Sequence, residues 1–272
     1  MSEKAIGVFD SGLGGLTAVK ELLNVLPQEN VIYFGDTGRV PYGNRSQKTI
    51  KKYALQDASF LLTQNVKMII AACGTVSSVV ADLGEKLSVP FTGVVVPTAA
   101  AAVSSTHNGK IGVIGTSATI ASGAYKREIE KLDSHISVYQ KDCPLFVPLV
   151  ENGLTSPSDP IVQLVVERYL APMKETGIDT LILGCTHYPI LAQAISRFVG
   201  ERVRLIDSGR ETALYAATML NRHQLLNLSG QRGTASYYVS DTIENFSHLA
   251  GIFLGRNMNH TVTHVDIEQF EE

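Results

Sequence analysis

Ile69–Ser78 reads IIAACGTVSS, an apolar run that ends in a cysteine, a glycine and a row of small and hydroxyl residues. Leu181–Ile190 reads LILGCTHYPI and repeats the design. Short, uninterrupted apolar runs are the mark of parallel strands buried on both faces, and VIYF at Val31–Phe34 is another. Outward from these stretches, β-branched runs alternate with longer segments of helical period, as in βαβ units around parallel sheets. Strands are expected at Ala5–Phe9, Val31–Phe34, Met68–Ala72, Phe91–Val95, Lys110–Ile114, Ile136–Tyr139, Thr180–Leu183 and Val203–Ile206. Helices are expected at Leu16–Leu26, Ser46–Gln64, Val76–Leu87, Thr98–Ser105, Ile120–Leu132, Pro160–Glu175, Pro189–Phe198 and Glu211–Asn221.

The two halves echo each other. IGVFDSGLGG begins at Ile6 and IGVIGTSATI at Ile111, and Ser11 precedes Cys73 by nearly the interval that separates Ser117 from Cys185. This predicts an α/β fold of two pseudo-symmetric lobes, each a mainly parallel sheet flanked by helices. Ligands of such sheets bind beyond the carboxyl ends of the strands, so the cleft between the lobes should collect both cysteine loops. After GQRG (Gly230–Gly233) come a strand-like ASYYVS, a helix through Leu254 and a strand-like HTVTHV. The second half's own elements end near Ile206, so this tail is expected to return to the first lobe. The division is residues 1–96 plus 208–272 in one lobe and 97–207 in the other.

With 272 residues, 44% hydrophobic and 18% charged, the chain suits a globular protein with substantial cores. A net charge of −3 gives no reason to expect nucleic acid or an anionic membrane as partner. The start MSEKAIGVFD has no basic-then-apolar leader, and GVVVPTAAAAV at Gly93 is too short to span a bilayer. Three cysteines form no disulfide framework, which points to the cytoplasm.

Cys73 and Cys185 each stand where a strand ends and a helix begins, and unpaired N–H groups at a helix start stabilise a thiolate. A single free cysteine more often just packs, and Cys143, which has no echo, is read that way. A matched pair admits three chemistries. A redox pair would want Cys-x-x-Cys spacing, and a zinc site on Cys73, Cys185 and His187 lacks an obvious fourth ligand. Acid–base work by one thiol on each side of a planar intermediate uses the symmetry, and it is the chemistry that inverts an amino-acid α-carbon. No lysine motif for pyridoxal phosphate and no phosphate loop is present, so no cofactor and no metal are expected. In FDSGLGGLT (Phe9–Thr17), Asp10 and Ser11 would sit at a strand's carboxyl end, with glycines permitting close approach to a ligand. Thr17 spoils the dinucleotide template G-x-G-x-x-G. Asp36, Tyr42 and Gly43, in the turn-rich YFGDTGRVPYGNRS, are expected at a pocket mouth, whereas Glu151 has no place assigned by local pattern.

These segments resemble the aspartate/glutamate racemase superfamily, and glutamate racemases within it. The likeness runs through GVFDSGLGGLTAVKEL, YFGDTGRVPYG, AACGT, GVIGTSAT, PLVENG, LGCTHYP and IDSGRETA. It implies cofactor-independent interconversion of L- and D-glutamate in a cleft between two α/β lobes, supplying D-glutamate for peptidoglycan. It implies Cys73 and Cys185 as the acid–base thiols, Asp10 supporting Cys73, His187 supporting Cys185, and Asp36 and Glu151 as helpers behind them. Ser11, Tyr42, Gly43, Thr75 and Thr186, with Asp10 and His187, would contact the substrate. Family members usually carry asparagine after the first cysteine, and here Gly74 stands there. Either its backbone N–H or a water takes over that contact, or substrate affinity and specificity differ. The expected partner is a small molecule, glutamate, with a homodimer as one admissible assembly. An aspartate racemase and a two-lobed amino-acid-binding protein without turnover are the alternatives.

Overall fold

The structure, a computed structural model, describes residues 2–80, 82–255 and 262–270. Ten strands are present among them: β1 Ile6–Asp10, β2 Val31–Gly35, β3 Met68–Ala71, β4 Phe91–Gly93, β5 Lys110–Gly115, β6 Ser137–Asp142, β7 Thr180–Leu183, β8 Arg204–Asp207, β9 Ala235–Val239 and β10 Val262–His264. All pairings are parallel, in a six-stranded sheet β10-β9-β2-β1-β3-β4 and a four-stranded sheet β6-β5-β7-β8. The order β2-β1-β3-β4 in one is the order β6-β5-β7-β8 in the other. The two pseudo-symmetric lobes are therefore real, and the first carries β9 and β10 as an addition with no counterpart. Register refines the expected repeat. Phe9 pairs with Ala71 and Ile114 with Leu183, so the position of Ser11 is taken by Thr116 rather than Ser117.

The central strands are fully buried apolar runs, as their sequences demand: β1, β3 and β7 show no exposed residue. One core joins the lobes, running from Ile6 and Val8 through Leu183 to Tyr188. Each sheet covers its other face separately, around Phe34 and Phe60 in one lobe and around Ile111 and Ile182 in the other. Among the described residues no helix is long and apolar enough to cross a membrane.

Several helices differ from expectation for local reasons. The segment Ile120–Leu132 is two helices, Ser117–Ser122 and Ala124–Leu132, broken at Gly123 with φ +64°. Instead of one helix over 76–87, the chain forms Gly74–Val79 and a 3-10 turn Leu83–Lys86, since the β-branched run Val76, Val79, Val80 propagates a helix poorly. The strand at Phe91 stops at Gly93, and the next helix starts at Val95, before Thr98. Pro97 fits that first turn because its missing N–H would be unpaired there anyway. Residues 188–191 form a 3-10 turn ahead of the helix Ala192–Val199. A short helix Phe146–Glu151, with Pro148 inside it, went unforeseen. Of HTVTHV, residues 260 and 261 lie outside the described residues, and Val262–His264 is a strand.

The returning chain is tied to the first sheet by a buried ion pair. Lys67 Nζ lies 2.5 Å from Glu29 Oε2 and also donates to the Leu225 carbonyl, while Glu29 Oε1 accepts from the Asn227 N–H. Both side chains are almost wholly out of water, so removing one leaves the other charge unpaired. Lys67→Met is expected to lower unfolding stability by about 3–5 kcal/mol in urea titration. A change below about 1 kcal/mol would show that the pair contributes no such constraint.

Candidate active site

Strand equivalence places the two thiols. Cys73 follows β3 and caps the helix Gly74–Val79, and Cys185 follows β7 just ahead of the 3-10 turn Tyr188–Leu191, in which Pro189 stands in the first turn. Both line one cavity of about 360 Å3 between the lobes, within the roughly 300–1,000 Å3 of small-molecule sites. Ser11, Gly74 and Thr75 line the same cavity, as do Tyr42 and Gly43. Thr186, His187 and Glu151 complete the expected set on the wall. Asp10 lies buried one residue behind it.

Each thiol has its own surroundings. Cys73 Sγ donates to Ser11 Oγ at 3.4 Å. Cys185 Sγ lies 3.9 Å from His187 Nδ1, and His187 Nε2 lies 3.1 Å from Glu151 Oε1. With the Nε2 proton donated to that carboxylate, Nδ1 turns its lone pair toward the thiol. Across the symmetry Asp10 has only Gly115 as counterpart, so the acid–base equipment of the two sides is not repeated. Burial raises the Asp10 carboxyl above its usual range, against the nearby His187 and the N–H groups of Gly15 and Gly12. Its Oδ2 accepts from Gly12 N–H at 3.1 Å, while the buried Oδ1 has no hydrogen-bond partner.

The expectation that helix starts make thiolates is not met. Burial, then the charge of Asp10, push the Cys73 thiol up to about 11, against the Ser11 hydroxyl and the backbone N–H groups of Val76 and Ser11. Burial also raises Cys185, opposed by the backbone N–H of His187. Desolvation outweighs a six-residue helix and a single 3-10 turn, so both thiols hold their protons at neutral pH. Cys143 is fully buried away from the cavity, as expected, with its carbonyl accepting from the Tyr188 hydroxyl at 2.9 Å.

Gly74 has a packing reason. A Cβ there would lie 2.3 Å from the Gly184 carbonyl oxygen, so the two cysteine loops touch backbone to backbone. Gly14 likewise makes room for protein and not for a ligand, since its Cβ would meet Thr186 Oγ1 at 2.2 Å. Asp36 is corrected too. It is fully buried, does not line the cavity, and is held by Arg39, Tyr42 and Ser240. Thr116 and Thr119 were missed. Their hydroxyls lie 2.9 Å apart, and Thr116 reaches Thr75 across the cleft at 3.0 Å. The match of IGVIGTS to IGVFDSG contained the signal, because Thr116 occupies the place of Ser11. Among the described residues no group of three His, Cys, Asp or Glu is arranged to hold a metal ion.

A model of the Asp/Glu/hydantoin racemases matches residues 15–216. The chain belongs to that family. It is 44% identical over 273 residues, with full coverage of both chains, to a glutamate racemase of Geobacter metallireducens. A crystal structure of glutamate racemase from Francisella tularensis subsp. tularensis in complex with D-glutamate superposes with a TM-score of 0.91 at 38% identity, covering 99% of this chain and 100% of that one. The Thermus thermophilus glutamate racemase in complex with beta-chloro-D-alanine gives 0.88 at 45% identity, covering 98% and 99%.

Protonated thiols in a racemase site make a checkable signature. Iodoacetamide labelling of Cys73, followed by mass spectrometry, is expected to accelerate about tenfold per pH unit from pH 7 to 9. Cys143 should stay unlabelled until the protein unfolds. A Cys73 rate that levels off below pH 8 would contradict a raised thiol.

Proposed function

We propose that this protein is a glutamate racemase that interconverts L- and D-glutamate by proton transfer between two thiols, without a cofactor. The observation that carries the reading is that Cys73 and Cys185 leave equivalent strands and open onto one cavity. Family membership and the D-glutamate complex of the Francisella relative support the substrate. The cavity wall suits an amino acid with two carboxylates. No lysine or arginine is among its lining residues, so anionic groups meet hydroxyls of Ser11, Thr75, Thr116 and Thr119 and backbone N–H groups.

The chemistry follows from the different neighbours of the two thiols. A substrate ammonium brings a positive charge beside two buried thiols and favours ionisation of one. His187 Nδ1 is placed to take the Cys185 proton, with Glu151 on its far nitrogen, and Asp10 and Ser11 serve Cys73. One sulfur, as thiolate, takes the α-proton from one face. The other, as thiol, delivers its proton to the opposite face, and the pair exchanges roles in the reverse direction. Asp36 acts at one remove, through Tyr42.

The same reading divides the lobes at 96/97 and 207/208, which the membership of the two sheets supports. It places the enzyme in the cytoplasm, where three free cysteines persist, supplying D-glutamate for peptidoglycan. It admits a homodimer, for which sedimentation equilibrium is the check.

Cys73→Ser and Cys185→Ser are each expected to lower racemisation by about a thousandfold or more. In deuterated solvent each variant should still exchange the α-hydrogen of one enantiomer only, and of opposite enantiomers. A single variant with near-normal rates in both directions would end the two-thiol mechanism. Circular dichroism with aspartate in place of glutamate tests the substrate, since one methylene discriminates by only about 1–3 kcal/mol.

A further inference from the structure

Two residues of the GDTGRVPYG motif, Asp36 and Arg39, stand behind the cavity wall, and the proton transfers leave Arg39 without a task. Val40, Pro41, Tyr42, Gly43 and Asn44 form one side of the cavity. Two 3-10 turns, Thr37–Arg39 and Tyr42–Asn44, hold this stretch, and neither has a side-chain cap. So short a pair of turns carries little stability of its own.

The anchors converge on one guanidinium. Arg39 Nε donates to Asp36 Oδ2 at 2.6 Å and Nη2 to Asp57 Oδ1 at 3.0 Å. Nη1 donates to Gln56 Oε1 at 2.5 Å and lies 3.4 Å from Glu268 Oε1. The guanidinium also sits 4.0 Å from the centre of the Tyr53 ring, which packs on Tyr42 at 5.3 Å. The Tyr42 hydroxyl touches both Asp36 Oδ2 and Asp57 Oδ2. A phenol has one proton and can donate to one carboxylate only. Burial and the charge of Asp36 hold the Asp57 carboxyl well above its usual range.

The other side of the cluster is closed by the β9–β10 addition. Ser240 Oγ donates to Asp36 Oδ1 at 2.7 Å and accepts from the Gly38 N–H at 2.9 Å, and the Asp241 N–H donates to Thr37 Oγ1 at 3.1 Å. Glu268 follows β10. Residues that have no counterpart in the four-stranded sheet are thus spent on this one loop.

We propose that Arg39 is a positioning residue for the substrate, fixing the Tyr42–Gly43 wall through Asp36, Asp57 and the β9–β10 addition. The proposal rests on the glutamate racemase reading for its substrate. Arg39 touches no reacting atom. A planar fork of five donors suits acceptors on several sides, which a lysine ammonium does not reproduce.

The test uses the full chain with Arg39→Met, Arg39→Lys and Ser240→Ala, reading glutamate racemisation and deuterium uptake of the peptide covering 36–46. Arg39→Met is expected to raise KM by about tenfold or more with kcat changed by less than about threefold, the mark of a binding wall loosened without loss of the reacting groups. Uptake at 36–46 should rise while that of β5 and β7 stays as in the wild type. Arg39→Lys should recover part of the KM effect, and Ser240→Ala should raise KM by about two- to fivefold. A KM within twofold of wild type in Arg39→Met, a loss confined to kcat, or unchanged uptake at 36–46 would overturn the proposal. If Arg39→Met does not fold, Ser240→Ala decides by the same two readouts. A wild type that turns over no glutamate would defeat the functional reading instead, and the uptake comparison would still decide whether Arg39 holds the loop.

Discussion

The carbonyl oxygen of Gly184 rests against the α-carbon of Gly74, where no side chain could stand. This contact lies between the residue before one cavity cysteine and the residue after the other. It brings two chain segments from different sheets to backbone distance, and the strands, turns and hydroxyls around it are arranged accordingly. The Thr75–Thr116 hydrogen bond crosses the cleft beside it. Both thiols are buried beside this contact, and burial is what raises them. Both sulfurs of this cleft therefore start protonated.

Repetition of the frame does not extend to its furniture. The sheets share one strand order, yet Asp10 has glycine as counterpart, and the His187–Glu151 pair serves one thiol only. Glu151 arrives on the short helix Phe146–Glu151, which follows β6. In the other lobe the segment after β2 forms two 3-10 turns and the wall that Arg39 braces. The proposed proton transfer between two thiols calls for unequal neighbours, and the two segments do diverge after equivalent strands.

Much of this could be read from the chain. The apolar runs ending in cysteine and the echo of IGVFDSG in IGVIGTS gave the parallel sheets, the two lobes and the thiol pair, because burial on both faces and a repeated register leave marks in local sequence. Helix breaks were less legible. Gly123 inside a helical period and Pro148 inside a short helix are each compatible with two outcomes that tertiary packing decides. The thiol ionisation was misjudged for a similar reason, since a helix start is visible in sequence and the depth of burial is not. Asp36 looked like a pocket residue because its turn-rich surroundings did. Ser240, which donates to it, lies beyond β9, and Asp57, which shares Arg39 and Tyr42 with it, lies on the helix Gln47–Thr63, where no local pattern points to them.

The return of the chain to the first sheet also orders its assembly in time. Every strand of the four-stranded sheet lies in one continuous stretch of sequence, between β5 and β8. The six-stranded sheet cannot pair β2 with β9 until residues 235–239 have been made, long after β1, β3 and β4. On a ribosome the middle of the chain thus has all its partners first, and the outer sheet closes around a finished neighbour. The substrate wall, which waits for Ser240 and Glu268, is among the last parts to set. A nascent chain can therefore hold both cysteines in place before it has a complete pocket.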